Sequence, residues 1–235
     1  MIAAPSTRTA ERVAAAMIEE IKAAGWAVGQ RVGSEAELMV RFAVSRSVIR
    51  QAISMLESQG VVRVRNGRGG GVVVSEPKAR PFARALELYL LARDVSGDDI
   101  LEAKAEVELT CVRLATRRRT AESVERLRDA VAREQKTPRG RVRDIGADNV
   151  HIVLAEMTGN PALHLFIEAL SHLAASCVPQ SRAAAAAHET YEQHARIAEA
   201  VAGGDEERAV AEMAKHLGVV EEALSRRRPI RPRTR

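Results

Sequence analysis

Three histidines, His151, His194 and His216, stand out by type and spacing. They sit in the segments DNVHIVLAEMTGN, YEQHARIAEAVAGGD and AVAEMAKHLGVVEEAL, each a separate helical pattern. Each shares a helical face with apolar residues such as Leu154, Ile197 and Val220. Neutral imidazole ligates divalent metals, and three imidazoles converging inside a helical bundle can hold one. A lone histidine on an apolar face is more often a hydrogen-bonded core residue, and the spacing leaves both readings open. His164, His172 and His188 lack such companions and read as surface or packing residues.

A second set of reactive side chains is basic. Arg46 and Arg50 stand one helical turn apart behind Ser45, in the run Ser45-Arg46-Ser47-Val48-Ile49-Arg50. Arginine forks can pair bidentately with guanine in the major groove, and Ser45, Ser47 and the helix N-terminus suit phosphate. Ile49, Ala52, Ile53 and Leu56 fall on the opposite, core-facing side. Arg65 and Arg68 flank Asn66-Gly67, where glycine lets backbone approach a duplex closely.

The elements that must position these arginines follow from local signals. A first helix capped by Thr9 carries the stripe Val13, Met17, Ile18 and Ile21, and Gly25 ends it. Ser34 with Glu37 forms a capping box that opens a helix through Phe42. Ala43-Val44 makes the turn, and Ser45 caps a helix that runs to Gln59. Val61 to Val64 and Gly71 to Val74 read as strands of a hairpin marked by Asn66-Gly67. This is the layout of a winged helix-turn-helix over residues 1–77. A linker with a helix from Pro81 to Arg93 covers residues 78–97, an all-helical bundle covers 98–225, and a basic tail covers 226–235. Within the bundle, helices are expected from Asp98, over Ser123 to Glu134, and around 144–158, 161–177, 185–202 and 205–225.

Composition agrees with this division. The chain has 235 residues, 46% hydrophobic but only 3% aromatic, which favours tightly packed helices of Ala, Val, Leu and Ile. Residues 1–77 carry ten Lys/Arg against seven Asp/Glu, residues 78–225 twenty against twenty-four, and residues 226–235 six Arg and no acid. A basic front joined to an acidic middle suits a DNA-binding module attached to a module with another task. The tail reads equally as a nucleic-acid contact or a solvated end. Cys111 and Cys177 lack metal-type spacing and read as buried reduced thiols. No apolar run approaches a membrane span and the N-terminus lacks a signal-peptide core, so a cytoplasmic location is expected. There is no HExxH motif, no phosphate-cradling glycine loop and no Ser or Cys nucleophile motif, so a metal-dependent hydrolase is a remote alternative and the chain is read as no enzyme.

The N-terminal segment resembles the GntR family of bacterial transcription regulators. The resemblance rests on Gly29-Gln30-Arg31-Val32, Ser34-Glu35-x-Glu37-Leu38, Val44-Ser45-Arg46-Ser47-x-Ile49-Arg50, Leu56-Glu57-x-x-Gly60 and Gly67-Arg68-Gly69. It implies a DNA-contacting set of Ser34, Ser45, Arg46, Ser47, Arg50, Arg65, Gly67 and Arg68. The family usually places an Arg where this chain has Ala36, which alters the expected operator consensus.

Residues 98–225 resemble the FCD ligand-binding domain of the FadR subfamily, through Leu101-Glu102-Ala103-Lys104 with Glu108, His151 ahead of Gly159-Asn160, His194, Gly204-Asp205, Ala209 and His216. The resemblance implies a metal (Zn, Ni or Mn) on three His and one Asp, coordinating a small carboxylate effector. The family Asp position is Ala147, so Asp148 is the expected fourth ligand, with Asp144 or water as alternatives. Lys104 replaces a pocket Arg, keeping charge but losing the bidentate fork. Lys104, Glu108 and Asn160 form the expected effector contacts. The expected molecule is mainly α, a homodimeric, ligand-responsive regulator, most often a repressor, on a palindromic double-stranded operator. Two further alternatives are a relative without metal that senses a fatty acyl ligand and an architectural DNA-binding protein without effector.

Overall fold

A computed structural model describes residues 5–67, 69–76, 78–136, 149–177 and 187–224. The chain divides into two compact units, Met1–Phe82 and Ala83–Arg235.

The first unit opens with helix α1, Pro5–Ala23. It begins four residues ahead of the expected Thr9 cap, because proline with its fixed φ and missing N–H suits the first turn. Ala10, Val13, Ala14, Met17 and Ile21 recur at helical spacing and are buried, and α1 packs along α3. Strand β1 is Arg31–Gly33, followed by α2, Glu35–Phe42, and α3, Arg46–Ser58. The Ser34 hydroxyl accepts from Glu37 N–H and the Glu37 carboxylate accepts from Ser34 N–H, so the expected capping box is formed. Ala43 takes the left-handed conformation (φ 52°) that turns α2 into α3. Val48, Ile49, Ala52, Ile53 and Leu56 bury one stripe of α3. Ser45 occupies the N-cap position, but its hydroxyl pairs with the Ser47 hydroxyl at 2.9 Å and makes no cap bond.

Strands β2, Val62–Arg65, and β3, Gly71–Val74, form the wing hairpin in the register Val62↔Val74 and Arg65↔Gly71. Strand β1 adds to the other side of β3, giving the antiparallel order β1-β3-β2. That third strand lies outside the sequence expectation. The hairpin connection runs over residues 66–70, longer than a two-residue turn, and Gly70 is its tightest point. A Cβ there would stand 2.2 Å from the Arg65 carbonyl oxygen. Trp26, also left-handed (φ 52°), packs half-buried against this unit's core.

Among the described residues, the elements of the second unit are all α-helices. Helix α4 is Ala79–Ala92, beginning in the first unit's last residues, and α5 is Gly97–Arg118. A capping box between Ser96 and Asp99 starts α5. Then come α6, Ala121–Lys136; α7, Val150–Met157; α8, Pro161–Cys177; α9, Ala187–Gly203; and α10, Glu206–Leu224. Helix α5 is central and packs against α7, α8, α9 and α10, while α6 packs against α7 and α9. Val112, Ala115, Leu127, Ala130, Val153, Leu154, Ile197, Val201, Ala209 and Met213 form its main core. The many alanines let the helices approach closely, as the lack of aromatics requires. The Arg117 guanidinium grips Glu206 through two donors, at 2.6 and 2.7 Å, and ties the end of α5 to the first turn of α10. Among the described residues, no helix is long and apolar enough to cross a membrane.

Candidate metal centre and nucleic-acid face

The histidine cluster is built by three helices. Asn149 Oδ1 accepts from the His151 backbone N–H at 2.9 Å and so caps α7, placing His151 in its first turn. His194 lies mid-way along α9 and His216 along α10. One ring nitrogen from each of the three lies within 4.8 Å of the others. His194 and His216 are essentially fully buried, and ring centroids are 4.5 to 5.2 Å apart.

The outward nitrogens have partners. His194 Nδ1 lies 2.6 Å from Glu134 Oε2 on α6. His216 Nδ1 lies 3.0 Å from Gln193 Oε1 on α9. A carboxylate and an amide oxygen accept, so a hydrogen on each Nδ1 satisfies both contacts. With hydrogen on Nδ1 a neutral imidazole presents its lone pair at Nε2, and the two Nε2 atoms face each other at 3.3 Å. Two opposed lone pairs repel unless a proton or cation lies between them. Burial, then the neighbouring His194 and His151, push the His216 pKa down from 6.5 to about 2, so this ring stays neutral. Neutral imidazoles are the metal-binding form, and the donor set fits a divalent ion.

Glu108 completes the surroundings. It is 2% exposed, contacts Lys104 Nζ, and has Oε1 2.9 Å from His151 Nδ1 although off the line of a hydrogen bond. Burial alone would raise its pKa, but the charges of His151 and Lys104 outweigh burial and hold it well below the usual carboxylate range. Its Oε2 is buried without a partner. Besides the three imidazoles, the cluster thus holds two carboxylates, Glu108 and Glu134, and one ammonium, Lys104. On the next turn of α5, Cys111 is a buried free thiol whose pKa burial and then Glu108 push up to about 12, keeping it protonated.

In the first unit, Arg46, Ser47 and Arg50 lie on the exposed side of α3. Arg50 Nε stands 3.7 Å from Glu35 Oε1, a loose surface pair. Ser34 is engaged in its capping box, half-buried beside α2. In the wing, Arg65 and Gly67 are exposed and Arg65 donates to the Gly69 carbonyl at 3.3 Å. Arg31 bonds the Gly70 carbonyl and Glu37, fixing the wing tip to α2. Glu57 accepts from the Val64 N–H at 2.8 Å and fixes the wing to α3.

Comparison with known proteins decides the family. The model of the FCD domain matches residues 99–219, just over half of the chain, and the model of bacterial regulatory proteins of the gntR family matches residues 9–72. The chain belongs to the GntR family. Among its GntR relatives, the HTH-type transcriptional regulator LutR of Bacillus subtilis is 29% identical over 207 residues, covering 84% of this chain and 92% of that protein. The HTH-type transcriptional repressor NanR of Cronobacter sakazakii is 29% identical over 220 residues, covering 87% and 82%. The solved Streptococcus agalactiae GntR shares the fold, with a TM-score of 0.65, 20% identity, and coverage of 91% of this chain and 99% of that one. The protein is a GntR-type transcription regulator, with an N-terminal winged helix-turn-helix and a C-terminal helical FCD domain.

The FCD domain brings His151, His194, His216, Lys104 and Glu108 together, but Asn160 stands apart. It is exposed beyond the C-terminal end of α7, whose first turn carries His151. Its Oδ1 accepts from Ala162 N–H and caps α8. Asp148, its alternative Asp144, and Arg68 lie outside the described residues. Sequence reasoning missed Glu134 and Gln193. Glu134 looks like any acid on a polar helix, and only the adjacency of Gln193 to His194 offered a signal.

Proposed function

We propose that this GntR-family regulator binds a divalent metal at His151, His194 and His216, and that metal-dependent effector binding controls its hold on DNA. The supporting observation is the pair of buried Nε2 atoms 3.3 Å apart, each ring's Nδ1 turned outward to an acceptor. A bound ion would supply a Lewis-acidic anchor for a small carboxylate, with Lys104 beside it; Asp148 or water is proposed to complete the shell. Arg46, Ser47, Arg50 and Ser45 at the start of α3, with Ser34, Arg65, Gly67 and Arg68 around it, are proposed to meet a palindromic operator from two copies of the chain in the cytoplasm. Repression is the proposed outcome of DNA binding, by similarity to the transcriptional repressor NanR. An effector changes operator affinity only if it binds the two states of the dimer unequally.

The test is the metal content of tag-free protein by elemental analysis, on wild type beside His194→Ala. About one Zn, Ni or Mn per chain, lost in the variant, is expected. A folded, metal-free wild type that also takes up none of these ions from solution would refute the metal and turn the search toward apolar or acyl ligands.

A further inference from the structure

The cluster's two most buried rings are held from behind by residues that no helical pattern marks. Glu134 reaches His194 from α6, a helix that contributes no histidine to the cluster. Gln193 sits next to His194 on α9 yet serves His216 on α10, so one turn of α9 supplies a ligand to the cluster and a support for its neighbour. Both supports are largely buried, Gln193 at 8% exposure and the Glu134 side chain at 10%. An imidazole that donates Nδ1–H to a fixed acceptor is locked in one tautomer and one ring orientation.

We infer that Glu134 and Gln193 are positioning residues that set the Nδ1–H tautomers of His194 and His216 and so direct both Nε2 atoms at a shared metal ion. For its metal part the inference rests on the function proposed above. The two supports differ in chemistry. Glu134 adds negative charge behind His194 and makes it the stronger donor, whereas Gln193 adds only an acceptor behind His216. Charge is therefore a secondary need, and the accepting oxygen is the primary one. Glu134→Gln and Gln193→Glu each keep an oxygen at the right place. Glu134→Ala and Gln193→Leu remove it.

Zinc alone is the probe, titrated into full-length protein stripped of metal, with a chromophoric chelator as competitor. Glu134→Ala and Gln193→Leu are expected to bind zinc about 10–100-fold more weakly than wild type. Glu134→Gln and Gln193→Glu are expected to recover most of that loss, a rescue that a mere packing role would not give. Ring-nitrogen NMR on metal-free wild type needs no variant and should show His194 and His216 as Nδ1–H tautomers. Unchanged zinc affinity in both truncations, or Nε2–H tautomers in the wild type, would overturn the inference. A wild type that takes up no zinc but shows Nδ1–H tautomers would sink the metal reading while leaving the positioning role intact.

Discussion

Acidifying the metal-free protein should loosen the C-terminal unit well above the pH at which carboxylates protonate. His216 is held neutral down to about pH 2 in the fold, while an unfolded chain lets it ionise near its ordinary 6.5. The folded pKa is the depressed one, so the stabilisation is complete above 6.5 and drains away as pH falls toward 2. Each pH unit below 6.5 costs about 1.4 kcal/mol for one proton taken up only on unfolding. At pH about 5.5 the accumulated loss relative to pH about 8 is about 1.4 kcal/mol, or about 3–6 °C in Tm for a unit of this size. Glu108 acts with the same sign, but only as pH falls below its ordinary 4.5, so measurements above pH about 5 isolate the histidine. Scanning calorimetry of chelator-treated wild type beside His216→Gln, at several pH values from about 8 to 5, provides the assay. Equal slopes in the two proteins, or a flat wild-type profile, would refute the claim that a buried neutral His216 links folding to protons.

Other outcomes follow from the N-terminal unit. Arg50→Ala should cost about 1–3 kcal/mol of discrimination if the guanidinium reads a base edge, measured by fluorescence anisotropy on the duplex that wild type selects from a random pool. A uniform loss across all sequences would instead make Arg50 a phosphate contact. Gly70→Ala puts a methyl 2.2 Å from one carbonyl oxygen and 2.9 Å from another, so the wing tip must rearrange. Binding to the selected duplex should fall while the C-terminal melting transition stays put, and unchanged binding would show the wing to be dispensable. Ser34→Ala should remove about 1 kcal/mol by unmaking half of the α2 capping box; denaturant unfolding of the first unit measures it, and a neutral result would show that solvent replaces the cap. Glu37, held to about 2 by the Ser34 N–H, then Arg31 and the Ser34 hydroxyl, should lose its contribution as pH falls from 4.5 toward 2. Carboxyl NMR titration reads this directly, and a midpoint near 4.5 would contradict it.

Local chemistry was legible in the sequence wherever a rule spans only a few residues. The Ser34–Glu37 box, the Ala43 turn and the α3 core stripe follow from neighbours within one or two turns. Strand β1 did not, because three residues give no alternation to read and its partner β3 lies some forty positions onward. Ser45 was expected to cap α3 with its side chain, yet the nearby Ser47 hydroxyl competes for it. The three histidines shared a face with core residues and could be grouped, while their supports could not. A carboxylate at 134 becomes part of the cluster only when α6 docks on α9, which is tertiary information. Asn160 has a role that its neighbours do reveal, since its Oδ1 accepts from the Ala162 N–H at the start of α8.

The chain's single tryptophan packs half-buried against the core of the winged unit, while both tyrosines, Tyr89 and Tyr191, and every metal-ligand candidate lie in the other. Indole emission is sensitive to its immediate surroundings, so Trp26 is an intrinsic optical gauge of one unit alone. A change in its emission when zinc is added would be a signal carried from the helical unit to the DNA-reading unit, observed without any label. Silence there, alongside tight zinc uptake, would mean that the ion alone does not throw the switch and a second ligand must.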